Sequence, residues 1–369
     1  MNMKFDDDLA ELLKQKMEEA LKQRGKVNIL IAGKTGVGKS TLINAVFQGN
    51  LAETGDGQPV TQTTREITKD GIPLSIFDTR GLEISEYKNT VQELERLVQD
   101  KRRSEDPNQH IHIAWVCVME DSRRVEDAEI KLVEMLDKYI PVVGVITKSV
   151  SDIGFRQIVQ DLLPQTRNVV RVRAKETVFD DGYTMPAMGL DNLVDLTMTL
   201  VPEAQKNALA AAQKVNLKLK QQRAHSVVVG AALSAGGAGA VPLPFSDALA
   251  IIPIQISMLA GISAVWGLPI STAFLGTLVS GAITGSAGTL VGRAAAGALL
   301  KLIPGFGSTA GGVISAGVAS TLTVAFGEAY ITALYMLTKD DPNRIPTAEE
   351  IRDEFMRQLK SVKKEPAAG

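Results

Sequence analysis

Apolar residues recur along this chain with different periods, and each period predicts a different kind of element. Between residues 5 and 21 they fall at 5, 9, 12, 13, 17, 20 and 21, the spacing of one helix stripe, with Glu and Lys on the other face. Asp6, Asp7 and Asp8 suit the start of that helix and Gly25 its end. Its polar face is not predominantly basic, so it is expected to dock on another part of the chain rather than lie on a membrane surface. From residue 26 to 202 short apolar runs alternate with longer helical patterns. Residues 27–32, 65–68, 72–77, 111–118, 142–146 and 169–172 read as strands, and 41–47, 85–103, 126–138 and 190–200 as helices. That alternation predicts an α/β domain: a mostly parallel sheet with helices on both faces.

Beyond Pro202 the pattern changes. Residues 203–223 read as one Ala/Lys/Gln-rich helix, and 226–338 are small and apolar throughout. No Asp, Glu, Lys, Arg or His occurs in 226–246, 248–292 or 302–327. Each window is at least as long as the ~20 residues needed to cross a bilayer. Breaks at Pro242 and Pro244, at 267–269 and at 304–305 divide the region into about four or five helices. Gly281 with Gly285 and Gly288 with Gly292 offer flat faces for close helix contact. Since Gly, Ala, Ser and Thr outnumber Leu, Ile and Phe, the segments are only mildly hydrophobic. Two readings stay open, contact with a membrane and a soluble bundle whose helices cover one another. Asp247 either caps the helix that follows it or is a buried functional carboxylate. Thr347 and Glu350 form a capping box that opens a last amphipathic helix with Ile351, Phe355 and Leu359 on one side. The two end helices are expected to pack together beside the α/β domain. The domains expected are thus an amphipathic helix over 1–25, the α/β domain over 26–202 and an all-α C-terminal domain over 203–369.

Composition adds little to this division. A length of 369 residues suits two domains with accessory helices. The net charge of −2 provides no basic field, so no nucleic-acid partner is expected. The single cysteine, Cys117, lies in an apolar run and reads as a buried strand residue of a protein from a reducing compartment. The N-terminus lacks an apolar signal segment. A cytoplasmic place is expected, extending to the inner face of a membrane if the apolar region contacts lipid.

The candidate chemistry begins at Gly33-Lys34-Thr35-Gly36-Val37-Gly38-Lys39-Ser40-Thr41, a complete G-x-x-x-x-G-K-[ST] loop between a strand and a helix. Glycines at 33, 36 and 38 let backbone N–H groups turn toward a phosphate, and the next helix points its positive end at the same place. Lys39 adds a charge for the terminal phosphates, and Ser40 can ligate magnesium. At the end of a later strand stands Asp78-Thr79-Arg80-Gly81, a D-x-x-G. Its carboxylate can hold magnesium through water, and its glycine N–H can reach a terminal phosphate.

These motifs resemble the GTPase domains of the Era-like, translation-factor-type group. Gln62-Thr63-Thr64-Arg65 and Asp78-Thr79-Arg80-Gly81-Leu82 carry that likeness. The phosphate loop with Ile43-Asn44-Ala45 also resembles the immunity-related GTPases. The resemblance implies GTP/GDP and Mg2+ as ligands, with Thr64 as the switch residue and Thr61 and Thr63 as rivals. It implies Lys39, Thr64, Arg80 and Gly81 around the reacting phosphate, and Ser40, Thr64 and Asp78 around the metal. For the base it implies Thr147-Lys148 and Ala174-Lys175. Two departures stand out. Where the family reads guanine with [NT]-K-x-D, this chain has Thr147-Lys148-Ser149-Val150, with Asp152 two residues beyond. Asp152 either swings in to read the base or caps the helix that follows it. And Leu82 replaces the water-orienting glutamine of Ras-like enzymes, so intrinsic hydrolysis is expected to be slow. Arg80, Arg123 and Arg124 are candidates to supply transition-state charge, in trans within a homodimer as one arrangement.

Val241-Pro242-Leu243-Pro244-Phe245-Ser246-Asp247-Ala248 with Pro253-Ile254-Gln255 resembles an uncharacterised helical domain that bacteria append to Era-like GTPases. The function expected is a GTP-hydrolysing switch that couples nucleotide state to membrane lipid or to self-assembly. A nucleotide-gated scaffold with little turnover is the alternative. A ribosome-associated GTPase is disfavoured, because the C-terminal half carries no basic patch.

Overall fold

The computed structural model describes residues 2–52, 65–79, 87–238, 247–284 and 316–362. It divides into two compact units, Gly25–Asn216 and the pair of segments Met1–Arg24 and Leu217–Gly369.

The first helix, α1 (Asn2–Arg24), belongs to the second unit. The first unit then begins with β1 (Val27–Gly33) and α2 (Lys39–Val46). There follow β2 (Arg65–Thr68), β3 (Leu74–Asp78), α3 (Tyr87–Arg102), β4 (Ile113–Met119), α4 (Asp127–Leu136), β5 (Val142–Thr147) and α5 (Phe155–Leu162). β6 (Val169–Arg171), a small hairpin of β7 (Thr177–Val178) and β8 (Thr184–Met185), α6 (Leu190–Leu200) and α7 (Glu203–Ala212) complete it. The sheet has the order β2-β3-β1-β4-β5-β6. Only the β2–β3 pairing is antiparallel. Every residue of β1, β3 and β5 is buried, as the unbroken apolar runs of strands covered on both faces require.

Register aligns the ends that matter. Ile29 pairs with Ile76 on β3 and with Ile113 on β4, so Gly33, Asp78 and Met119 all finish at the carboxyl edge of the sheet. The chain enters at central β1 and forms β3 on one side and β4 on the other, the reversal of strand order beside which open α/β sheets bind their ligands.

Residues 203–223 do not form the single helix that their composition predicts. Gln213 breaks the run: its Oε1 accepts the N–H groups of Val215 (2.9 Å) and Asn216 (2.8 Å), and its Nε2 donates to the Asn216 carbonyl. The chain is thereby turned out of α7, whose residues lie against β1 and β3. The compact units consequently meet between Asn216 and Leu217, beyond the change of composition at Pro202.

In the second unit α8 (Leu217–Ala238) packs on α9 (Asp247–Trp266) and α11 (Ala316–Thr338), with α10 (Thr272–Thr284) and α12 (Ala348–Val362) alongside. α1 lies on α9 and α10, and α12 on α10 and α11. Phe355 of α12 meets Phe326 and Tyr330 edge-on, with ring centroids 4.9 and 5.2 Å apart. The capping box of α12 is present, with the Thr347 N–H on Glu350 and the Glu350 N–H on the Thr347 hydroxyl. Small residues let these helices approach closely. A Cβ on Gly327 would stand 2.5 Å from Val228. Polar groups between the helices pair with one another, Ser263 with Tyr330 (2.8 Å) and Gln255 with Thr323 (3.0 Å). No helix among the described residues is long and apolar enough to cross a membrane. The Asp247 side chain and the glycine pairs at 281/285 and 288/292 lie outside the described side chains.

Candidate functional site

The phosphate loop fills the turn between β1 and α2. Three of its glycines have positive φ, Gly33 at 149°, Gly36 at 74° and Gly38 at 101°. A Cβ on Gly33 would lie 2.5 Å from the Cys117 carbonyl, so this position admits no side chain. On Gly36 it would meet nothing, and on Gly38 only the Lys148 stem at 4.0 Å. At Gly36 and Gly38 it is the positive φ, not crowding, that calls for glycine. Lys39 is 8% exposed, and its ammonium donates to the carbonyls of Gly33 (2.8 Å) and Lys34 (3.2 Å), so its charge stays over the loop. Lys34 forms an ion pair with Glu126 at the N-cap of α4. Ser40 and Thr41 occupy the first turn of α2.

Asp78 closes β3, 2% exposed, and the Thr79 N–H that follows it donates to the Ile31 carbonyl (3.1 Å). The D-x-x-G thus starts one strand away from the loop, as its spacing implies. Arg80, Gly81 and Leu82, together with Thr61, Thr63 and Thr64, lie outside the described residues. Asn44, on α2, bonds both backbone groups of Ala52 through its amide (2.9 and 2.6 Å). It fixes the last described turn before the threonine-rich segment.

Thr147 is buried, and its hydroxyl donates to the Val37 carbonyl (2.6 Å). That bond ties the loop after β5 to the phosphate loop. Lys148 adopts φ 51°. Asp152 Oδ1 accepts the Arg156 N–H (2.9 Å) in the first turn of α5, and the side chain is 42% exposed. Arg123 is occupied as well: its guanidinium donates to carbonyls of Ser151, Asp152 and Ile153 and covers the Phe155 ring at 5.2 Å. Ala174 and Lys175 follow Arg173, which sequence reasoning overlooked. Arg173 is 7% exposed and donates to the carbonyls of Ser149 (2.9 Å) and Pro186 (2.5 Å), lacing the loops after β5 and β6 together. Glu120 was also missed. Burial favours its protonated form, but the N–H groups of Val150 and Ser151 and the Arg171 guanidinium outweigh this and hold its carboxyl below the usual range. No sequence motif marks either residue, because both act on backbone atoms.

A glycine-rich turn between β1 and α2, a lysine over it and a buried aspartate one strand away define a P-loop nucleotide site. The comparisons agree. Residues 28–148 match the family described as 50S ribosome-binding GTPase, and residues 203–361 match a domain of unknown function, DUF697. The chain thus carries a P-loop GTPase-family region over residues 28–148, followed by a DUF697 domain over residues 203–361. It is 42% identical over 81 residues to the tRNA modification GTPase MnmE of Cupriavidus metallidurans, covering 21% of this chain and 16% of that one. It is 24% identical over 164 residues to Septin-9 of Rattus norvegicus, covering 37% and 29% respectively. The chain thus spans less than a third of the length of these curated relatives. Among solved structures it is similar to Era in complex with MgGDPNP and 16S ribosomal RNA nucleotides, at TM-score 0.34 and 17% identity over 56% of this chain and 67% of that one.

Proposed function

We propose that this protein is a slow GTPase switch, converting GTP to GDP and phosphate, whose helical unit associates with lipid surfaces according to the bound nucleotide. The observation that carries the nucleotide half is the phosphate cradle, with three positive-φ glycines and Lys39 lying over it. In this reading Gly33 to Thr41 hold the phosphates. Ser40, Thr64 and Asp78 hold Mg2+, which neutralises phosphate charge when bound, and Gly81 and Arg80 face the terminal phosphate. The donor set fits the ion: a hydroxyl and a carboxylate beside phosphate oxygens suit a hard cation. No cluster of three His, Cys, Asp or Glu that could hold a metal by itself occurs among the described residues. Thr147, Lys148, Asp152, Ala174 and Lys175 line the base end. Val150 in place of the family aspartate leaves a guanine preference smaller than an intact motif confers.

Lys39→Ala removes the charge that lies over the phosphate loop, and calorimetry is expected to show GTP-analogue affinity lowered by at least about a hundredfold. Equal affinity in variant and wild type would sink the phosphate-loop assignment. Leu82 motivates the slow rate, and a partner subunit is the proposed source of the missing group. Turnover per molecule is expected to rise with protein concentration, whereas a flat rate over about a hundredfold range would exclude activation by a second copy.

A further inference from the structure

We propose that Glu120 and Arg123, both on the turn that follows β4, are the positioning residues of the base-reading loop at 147–153. The inference rests on the reading that this site takes guanine nucleotides. Position 150 is valine, so the loop lacks the side chain that this position otherwise contributes to base recognition. The loop is also strained: Lys148 and the β-branched Ile153 hold φ values of 51° and 39°, in the left-handed region that disfavours side chains. Such a conformation persists only where its surroundings determine it.

The turn after β4 does so from both sides of the backbone. Glu120 is 3% exposed, and its Oε2 accepts the N–H groups of Val150 (2.5 Å) and Ser151 (2.8 Å). Its Oε1 is held by Arg171 of β6, through Nε at 2.8 Å and Nη2 at 2.7 Å. Arg123 takes the carbonyls, those of Ser151 (3.4 Å), Asp152 (3.3 Å) and Ile153 (3.1 Å), with its guanidinium over Phe155. Arg123 is itself left-handed at φ 45°, which aims it back across the loop. An anchored carboxylate on the donors and a guanidinium on the acceptors leave the loop one conformation. In it Asp152 is 42% exposed, with its Oδ1 on the Arg156 N–H at 2.9 Å and 3.8 Å from the Arg171 Nε. Both residues bond the loop through its backbone atoms alone. Each acts through the loop.

The test uses the full chain and competition binding of GDP, IDP and ADP to wild type, Glu120→Ala, Glu120→Gln and Arg123→Ala, with folding checked by circular dichroism. Loss of the clamp is expected to reduce the preference for GDP over ADP about tenfold in Glu120→Ala, with ADP affinity within about twofold of wild type. Glu120→Gln keeps an acceptor oxygen for the two N–H groups and is expected to restore part of the preference. Arg123→Ala, on an exposed side chain, carries the test should Glu120→Ala not fold. A GDP preference unchanged in folded variants, or parallel losses for GDP and ADP, overturns the proposal. A wild type without preference for GDP over ADP overturns the guanine reading and this inference with it.

Discussion

Lys220 of α8 illustrates how a single residue can set a pH response away from the nucleotide. It is 1% exposed, donates to the Trp266 carbonyl at 2.9 Å, and burial lowers its pKa from 10.5 to about 7. Between those two values the unfolded chain binds a proton that the folded chain does not, so stability rises with pH through that window. The cost of confining the charge is fully present below about pH 7 and relieved toward pH 10.5. A neutral side chain of similar length escapes this cost. Lys220→Met is therefore expected to raise the thermal midpoint at about pH 6, and to raise it much less, or lower it through the lost hydrogen bond, at about pH 10. Equal shifts at both pH values, read by calorimetry, would show that burial does not lower the pKa of this amine in the folded chain. Cys117 shows the same physics without a consequence, since burial pushes its thiol up to about 12 and keeps it inert.

At the scale of elements the break at Gln213 is decisive, because it separates a helix of the sheet unit from a helix of the bundle. Gln213→Ala removes the three side-chain bonds that shape residues 213–216 and leaves an alanine in a run rich in helix formers. The substitution is expected to cost about 1–3 kcal/mol of stability in the first unit, measured by urea unfolding, as α7 and α8 compete to become continuous. No change would mean that packing of α7 on β1 and β3 alone ends the helix. This break was not legible in the sequence because glutamine is a good helix former, and only the tertiary neighbours of α7 make the turn worthwhile. β1, β3, β4 and β5 were legible because their apolar runs are buried on both faces, and so was the start of α12, where Thr347 and Glu350 cap each other locally, whereas the short hairpin of β7 and β8 carries no such run. The phosphate loop was legible because its chemistry needs fixed residues at fixed spacing. The loop after β5 was only half legible: Thr147-Lys148 announces it, yet Glu120, Arg123 and Arg173 reach it through bonds to its backbone that span 24 or more residues of chain.

For the whole molecule the question is how a nucleotide could reach the helical unit. The chain passes between the units at Arg24–Gly25 and at Asn216–Leu217. Both crossings adjoin β1, the first because it immediately precedes the strand and the second because α7, just before it, packs on β1 and β3. β1 ends in the phosphate loop, so occupancy of the loop and the geometry of both crossings share one strand. A ligand shifts such an equilibrium only by its differential affinity for the two forms. Val229 and Leu233 are 43% and 73% exposed on α8, and Met336 is 45% exposed on α11, which gives the unit apolar surface for an interfacial contact. Co-sedimentation with anionic liposomes is therefore expected to differ between GDP and GTP-analogue forms of the full chain by about fivefold or more, the range of an ordinary allosteric coupling. Leu233→Glu is expected to weaken binding in both forms without altering nucleotide affinity. Absence of lipid binding in every nucleotide state would leave the helical unit as a closed bundle with a protein partner, and equal tight binding in every state would separate the lipid contact from the switch.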